Sequence, residues 1–485
     1  MVPSEEGRQD PRNDDVSLSL PVREIGQASF MLSPTPDPCP SEAGAPLSID
    51  ACVGTALIGR ASVPHTAIGS ATPGERTMNA QLTSTALQVF VPFILAGFGS
   101  TLAGILLDVV KEWPVYVIVH HIFVVIPPLL GLNGNLEQTL VARLSTQANL
   151  GNLNRVREQL PMIFANIALL QCQSTVAIFL TCSLAVLKGL AIDGLWDPSH
   201  IAVLYAGALA AVNTVSFVMS TVVLLPTKCE KNPDNIAPAV AASFGDLTTL
   251  FLLSGYSSLM LYHPYLAPLV IALCLLLLPM WIVLARRNTV SREVLRVGWL
   301  PIIIALTVSS FGGYILDYAV FAYPPIALHL SAVNALGGNL AAVFSCSLSS
   351  YLNRVTPLGD IPFGEHVCVG PLQMYYQGGE MANVAYVLVG VVVPGQTLFA
   401  VLSRILRFGK VSMTITFFAA YCGASLGQVL VLLYLARLIV YHLWNWGVDP
   451  DNAAIPCLTG CGDFLGTGFL TLAYALLYYM GDESA

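Results

Sequence analysis

The sequence predicts an all-α, polytopic membrane protein of about eleven helices, arranged as two tandem repeats of about five passes in parallel orientation, joined by one linker helix. Three observations carry that prediction. Only 10% of the 485 residues are charged, against about 25% in soluble domains, and the mean hydropathy is +0.70. From about residue 85 onward, apolar stretches of some 20 residues follow one another, each near the length that spans bilayer hydrocarbon. The second half of the chain also restates motifs of the first at nearly constant offset, the signature of a duplicated unit.

Residues 1–82 are different in kind. They hold ten of the 31 prolines, including PTPDPCP at 34–40, with many acids and no sustained period, and read as a disordered cytosolic tail. No charged segment followed by an apolar core opens the chain, and the tail is too acidic for a transit peptide, so neither a cleaved signal nor an import sequence is expected. The first repeat, 83–262, contains expected spans near 86–109, 114–145, 162–187, 201–225 and 235–260. A linker helix near 265–285 and a basic loop fill 263–296. The second repeat, 297–480, contains spans near 299–321, 325–352, 384–403, 413–440 and 453–479, and residues 481–485 form a short tail.

Three motifs define the repeat. FVPFILAGFGSTLAGILLD (90–108) matches WLPIIIALTVSSFGGYILD (299–317), which aligns Gly104 with Gly313 and Asp108 with Asp317. LNGNL (132–136) matches LGGNL (336–340), and NPDNIAPAVAASFGD (232–246) matches DPDNAAIPCLTGCGD (449–463). Five passes plus a linker return the chain to its starting side, so the repeats should be related by a pseudo-two-fold axis along the membrane normal. With a cytosolic N-terminus, Arg143, Arg155, Arg157, Lys228, Lys231 and the cluster Arg286, Arg287, Arg292, Arg296 fall on the cytosolic side, as the positive-inside rule requires. Arg404, Arg407 and Lys410 break the rule, which points to a miscounted helix near 384–403.

Composition also excludes. A net charge of -8 and a pI near 5.4 argue against nucleic acid as a partner. The eleven cysteines form no CxxC pair, and Cys457 and Cys461, four apart on a helix, have no third ligand nearby. His120 and His121 are adjacent, so on a helix they diverge by about 100° and read as packing or headgroup-level residues.

The informative acids are Asp246 and Asp463, one in each repeat. A carboxylate at the centre of a lone membrane helix costs about 2.5–3.5 kcal/mol, so it calls for a partner, a proton or a cation. Asp234 and Asp451 in the PDN motifs read as helix caps, with ion ligation as the alternative. Asp246 and Asp463 lie twelve residues further, about 18 Å along a helix, where capping cannot explain them. Either each acid is protonated and bonded to a neighbouring hydroxyl, or the two face one another across the axis. In the second case, charges about 8 Å apart repel by roughly 2 kcal/mol at an effective dielectric of 20, and a divalent cation removes that penalty. The Gly-Asn pairs Gly134, Asn135 and Gly338, Asn339 lie within apolar helices, where glycine and the upstream prolines loosen the backbone. Asn135 and Asn339 can offer amide oxygens to an ion or its water, or bond to an adjacent helix. Asp108 and Asp317 end the first helix of each repeat and are weaker ion candidates, with an interfacial position as the alternative.

A different class of function stands beside transport. GCGD at 460–463 resembles the GxGD signature of intramembrane aspartyl proteases, in which two aspartates act as acid and base; Asp463 with Asp317 would be the pair. Against this, only 22 residues follow Asp463, none of them proline, so the downstream Pro-Ala-Leu motif is missing, and the twin reads SFGD.

The motifs PPLLGLNGNLEQTLVARLSTQANLG, NPDNIAPAVAASFGD and DPDNAAIPCLTGCGDFLGTG resemble those of the solute carrier family 41 transporters, eukaryotic relatives of the bacterial magnesium channel MgtE. The resemblance covers about residues 85–480. It implies two MgtE-like units in one polypeptide, with the family's pore aspartate on Asp246 and Asp463 and its glycine and asparagine on Gly134, Asn135, Gly338 and Asn339. Backbone carbonyls of Ala242 and Thr459 are secondary candidates. Two departures from the family pattern are Pro238, one place early, and Ser347, where Arg143 of the first repeat is basic. The implied substrate is Mg2+, with other divalent cations and coupling to Na+ also raised, no resident cofactor, and no enzymatic activity. A multi-pass protein of the plasma membrane, or of the mitochondrial inner or another organelle membrane, is expected.

Overall fold

The computed structural model describes residues 75–149, 156–194, 197–228, 233–376, 380–408 and 413–484. Asp234, Ala242, Arg143, Arg155, Arg157, Lys228, Lys231, Lys410 and most of the N-terminal tail lie outside the described residues or side chains. Among the described residues the elements are helices. In the first repeat these are α1 (Glu75–Val110), the short α2 (Pro114–Ile118), α3 (Ile122–Asn149), α4 (Val156–Lys188), α5 (Pro198–Lys228) and α6 (Pro233–Tyr262). The linker is α7 (Leu266–Ala285) followed by the short α8 (Thr289–Val297). The second repeat comprises α9 (Trp299–Ala322), α10 (Ile326–Val355), the short α11 (Pro371–Tyr376), α12 (Glu380–Leu406), α13 (Ile415–Asn445) and α14 (Pro450–Tyr479).

Nine of these helices are long and apolar enough to cross a membrane, which makes the chain an integral, multi-pass protein. The other two expected spans coincide with α3, whose apolar part is Ile122–Leu136, and with the 30-residue α6. One expectation needs correcting: the helix α1 begins at Glu75, inside the segment assigned to the tail. A helix, α12, does occupy the region near 384–403 where a miscounted span was suspected.

Local chemistry sets the helix ends. Thr414 caps α13 by accepting from the Phe417 amide at 3.0 Å. Asp449 caps α14 by accepting from the Asp451 amide at 3.1 Å, with Pro450 in the first turn where its missing N–H costs nothing. Asp451 is therefore not the cap it was expected to be. It is the second residue of the helix, within the first turn, with Oδ1 buried and without a hydrogen-bond partner among the described residues.

Packing exchanges helices between the repeats. Besides α6 of its own repeat, α1 packs on α10 and α12 of the other; likewise α9 packs on α14 of its own and on α3 and α4 of the other. The linker α7 lies against α4 and α5 and leaves nearly all its apolar surface outward, as a lipid-facing helix does. The core is continuous across the exchange, with Leu107, Val124, Leu316 and Ile326 fully buried in one cluster.

Candidate functional site

On α1 and on α9 a serine, a glycine and an aspartate recur four residues apart, as Ser100, Gly104, Asp108 and as Ser309, Gly313, Asp317. Residues at that spacing share one helical face. Each ridge makes the same three kinds of contact. Ser100 Oγ donates to Asp246 Oδ2 at 2.9 Å, and Ser309 Oγ donates to Asp463 Oδ2 at 2.6 Å. Both membrane carboxylates are thus held by the aligned serine of their own repeat. Asp463 is buried and Asp246 is half-buried.

One turn further, the glycines bring the repeats into contact. A Cβ on Gly104 would stand 2.2 Å from the Leu328 carbonyl oxygen, and one on Gly313 would stand 2.0 Å from that of Val124. Pro128 cannot donate to the Val124 carbonyl four residues back, so that oxygen is left free within α3, and Gly313 gives it a Cα–H neighbour.

Two turns from the serines, each aspartate is paired with a cation of the other repeat. Asp108 binds Lys111 at 2.6 Å and, across the repeats, Arg407 at 2.5 Å; Asp317 is paired with Lys188. Arg407, one of the three charges that broke the topology rule, is thus committed to an internal acid. The carboxylates of Asp108 and Asp317 are occupied by side chains of opposite charge. Asp317 also lies eight residues, about 12 Å, along α9 from the serine that holds Asp463, too far for the two acids to share a proton as a protease dyad does.

Around Asp463 the first repeat contributes α3. A Cβ on Gly131 would stand 2.6 Å from Asp463 Oδ2, so a side chain there would displace the carboxylate. Asn135 Nδ2 donates to Thr459 Oγ1 at 2.7 Å, while its Oδ1 is buried with no partner among the described residues. A cavity of about 20 Å³ lies here, lined by Gly131, Asn135, Ser309, Pro456, Gly460 and Asp463 among others. That is room for one or two water-sized occupants. A carboxylate, a serine hydroxyl and an unpaired amide oxygen around such a space suit a hard cation or its water.

The structure places Asn135 against Thr459 through their hydrogen bond and brings Asn135 and Asp463 to the lining of one cavity. Gly338 packs beside Thr459, with 3.5 Å from a hypothetical Cβ to the threonine methyl, and Asn339 is half-buried on α10. A Cβ at Gly134 would meet nothing within 4 Å. The expected loosening of the helices at these positions does not occur: α3 and α10 run unbroken through both Gly-Asn pairs. Sequence reasoning missed Ser100 and Ser309, although the repeat alignment already placed them opposite one another, and it missed Gly131, Lys188 and the partner of Arg407.

Comparison with known proteins agrees with this architecture. The family model described as "MgtE: Divalent cation transporter" matches residues 126–256 and 330–473, one stretch in each repeat. Solute carrier family 41 member 2 of Gallus gallus is 40% identical over 409 residues, covering 82% of this chain and 71% of that protein. The Homo sapiens member 2 is 38% identical over the same shares, and member 3 of Rattus norvegicus is 36% identical over 81% of this chain and 87% of its own. No solved structure matches. These relatives are transporters and not enzymes, which removes the protease reading. The chain belongs to the MgtE family of divalent cation transporters.

Proposed function

We propose that the protein carries Mg2+ across the membrane between its two repeats, with Asp246 and Asp463 as the charged ligands and Asn135 and Asn339 as amide-oxygen ligands to the ion or its water shell. The observation that carries this reading is the cavity that Asp463 and Asn135 line together, beside a buried Asn135 Oδ1 that has no partner among the described residues. Mg2+ dehydrates reluctantly and keeps several waters, so few protein oxygens acting partly through water suit it better than a full cage. Calcium favours more oxygens, and transition metals favour the imidazole and thiolate groups that this cavity lacks.

Asp108 and Asp317 are left out of the ion set because lysine and arginine already neutralise them. The proposed location is the plasma membrane with the N-terminus cytosolic, which tagging of the N-terminus in intact and permeabilised cells would check. Substrate identity is tested by uptake into proteoliposomes with Mg2+, Mn2+, Co2+ and Ca2+ at equal concentrations. Uptake greatest for Mg2+ supports the assignment, whereas a higher rate for Mn2+ or Co2+ refutes it. Repeating the assay with an imposed Na+ gradient decides coupling: a Mg2+ reversal potential that ignores the gradient excludes exchange against Na+.

A further inference from the structure

Along α9, the levels of the ion site can be read in order. Ser309 stands at the carboxylate of Asp463, Gly313 one turn beyond it, and Asp317 two turns beyond, about 12 Å away. The cavity lies on one side of this level only. Its lining runs from Ser309 back to Ile302 on α9, from Asp463 back to Pro456 on α14, and from Pro128 on to Leu136 on α3. The antiparallel α3 meets Gly313 at Val124, so Pro128–Leu136 also leads away from Asp317. All three helices place the open space toward the α14 N-terminus and none of it toward the ion pairs.

Toward Asp317 the path meets two layers. The first is the pair of glycine–carbonyl contacts, Gly104 on Leu328 and Gly313 on Val124, too close for any side chain. The second is the pair of ion bridges that cross the repeats, Asp108 with Arg407 and Asp317 with Lys188, in which both acids are buried. Lys111, also bound to Asp108, reaches the Pro324 carbonyl of the second repeat at 2.7 Å. Both cross-repeat cations sit where the backbone changes course. Lys188 ends α4 at the π-helical turn Gly189–Asp193, and Arg407 precedes Phe408, the one non-glycine residue with positive φ among those described, at 52°. Irregular backbone of this kind recurs at functional sites.

We infer that the two cross-repeat ion pairs are the gate closing the Asp108–Asp317 end of the ion path, and that this conformation is the one open toward the opposite end. The inference rests on reading the carboxylates as the ion site. Passage to the closed end requires the repeats to part at both layers, and each pair joins helices of different repeats, so parting breaks both pairs together. Pairing also gives the closed state its specificity: with Lys188 removed, Asp317 is left buried without a cationic partner among the described residues, and with Arg407 removed, Asp108 keeps only the neighbouring Lys111, so either change takes a cross-repeat bridge from the closed packing.

The test reads access rather than transport, so its failure and a failure of the ion-site reading are distinguishable. A Ser309→Cys chain in proteoliposomes is treated from one face at a time with methanethiosulfonate ethylammonium, and modification of residue 309 is followed by peptide mass spectrometry. The Asp108 face is identified as the one from which an Ala322→Cys thiol, at the exposed end of α9, reacts. From that face, Lys188→Gln and Arg407→Gln should each raise the labelling rate about tenfold or more, and the swap Lys188→Asp with Asp317→Lys should return it toward that of the parent. Should the glutamine variants fail to fold, Asp317→Asn, which keeps the side-chain shape, is read the same way. Labelling unchanged in the neutralised variants, or as fast in the swap as in them, overturns the gate.

Discussion

Ser309 donates its hydroxyl hydrogen to Asp463 at 2.6 Å, and the repeat restates the contact between Ser100 and Asp246 at 2.9 Å. A hydrogen bond to a charged group is worth about 1.5–3 kcal/mol, and it also fixes where the carboxylate oxygen points. Ser309→Ala should therefore lower Mg2+ flux at subsaturating concentration about tenfold or more, while Ser309→Thr, which keeps the hydroxyl, should retain most of it. Initial uptake rates in proteoliposomes check this.

Gly313 faces the Val124 carbonyl with no room for a methyl group. Forcing one in pushes α9 from α3, an overpacking that costs about 1–3 kcal/mol. Gly313→Ala and Gly104→Ala should both lower the melting temperature in detergent. Gly255→Ala, at a helical position where a Cβ meets nothing within 4 Å, should leave it unchanged or raise it by the usual helix gain of alanine.

Thr459 accepts a hydrogen bond from Asn135 Nδ2 at 2.7 Å, while Asn135 Oδ1 has no donor among the described residues. Thr459→Val strands a buried N–H and should destabilise by about 1–3 kcal/mol; Thr459→Ser should not. The first repeat has Ala242 at the aligned position, so the two halves of the site differ in this contact by sequence. Denaturation in detergent, followed by intrinsic fluorescence, separates the two variants.

Asp451 lies two residues before the apolar span that begins at Ala453. Burial, reinforced by the neighbouring Asp449, pushes its carboxyl up to about 6 from the ordinary value near 3.9. The folded state therefore holds this proton more tightly than the unfolded chain. The stability it contributes is complete below about pH 4 and is lost as pH rises through 6. Asp451→Asn should accordingly be more stable than the wild type at pH 7, with the difference vanishing below pH 4, as melting curves across pH would show.

Much of the membrane fold could be read from the chain because it depends on local, repeated signals. Apolar length marks α7, α9, α10 and α14 to within a few residues, and the duplicated acids led directly to Asp246 and Asp463. What could not be read depends on contacts between residues far apart in the chain. Nothing near Arg407 in sequence announces Asp108, 299 positions earlier, so a structural ion pair looked like a topological exception. Gly131 resembles any membrane-helix glycine until Asp463 is placed against it. Asp449 and Asp451 are both competent caps by type, and only the helix start decides between them. Ser100 and Ser309 were visible as an aligned pair, but serine is common in membrane helices, and the alignment gains meaning only from the carboxylates they hold.

The most direct test of the central claim is Mg2+ flux in proteoliposomes containing wild type, Asp463→Asn or Asp246→Asn, each shown to be folded by gel filtration. The substitution keeps shape and an oxygen acceptor while removing the charge. If the two carboxylates are the ion's charged ligands, both folded variants lose flux by at least an order of magnitude. Wild-type flux in either variant would contradict the account.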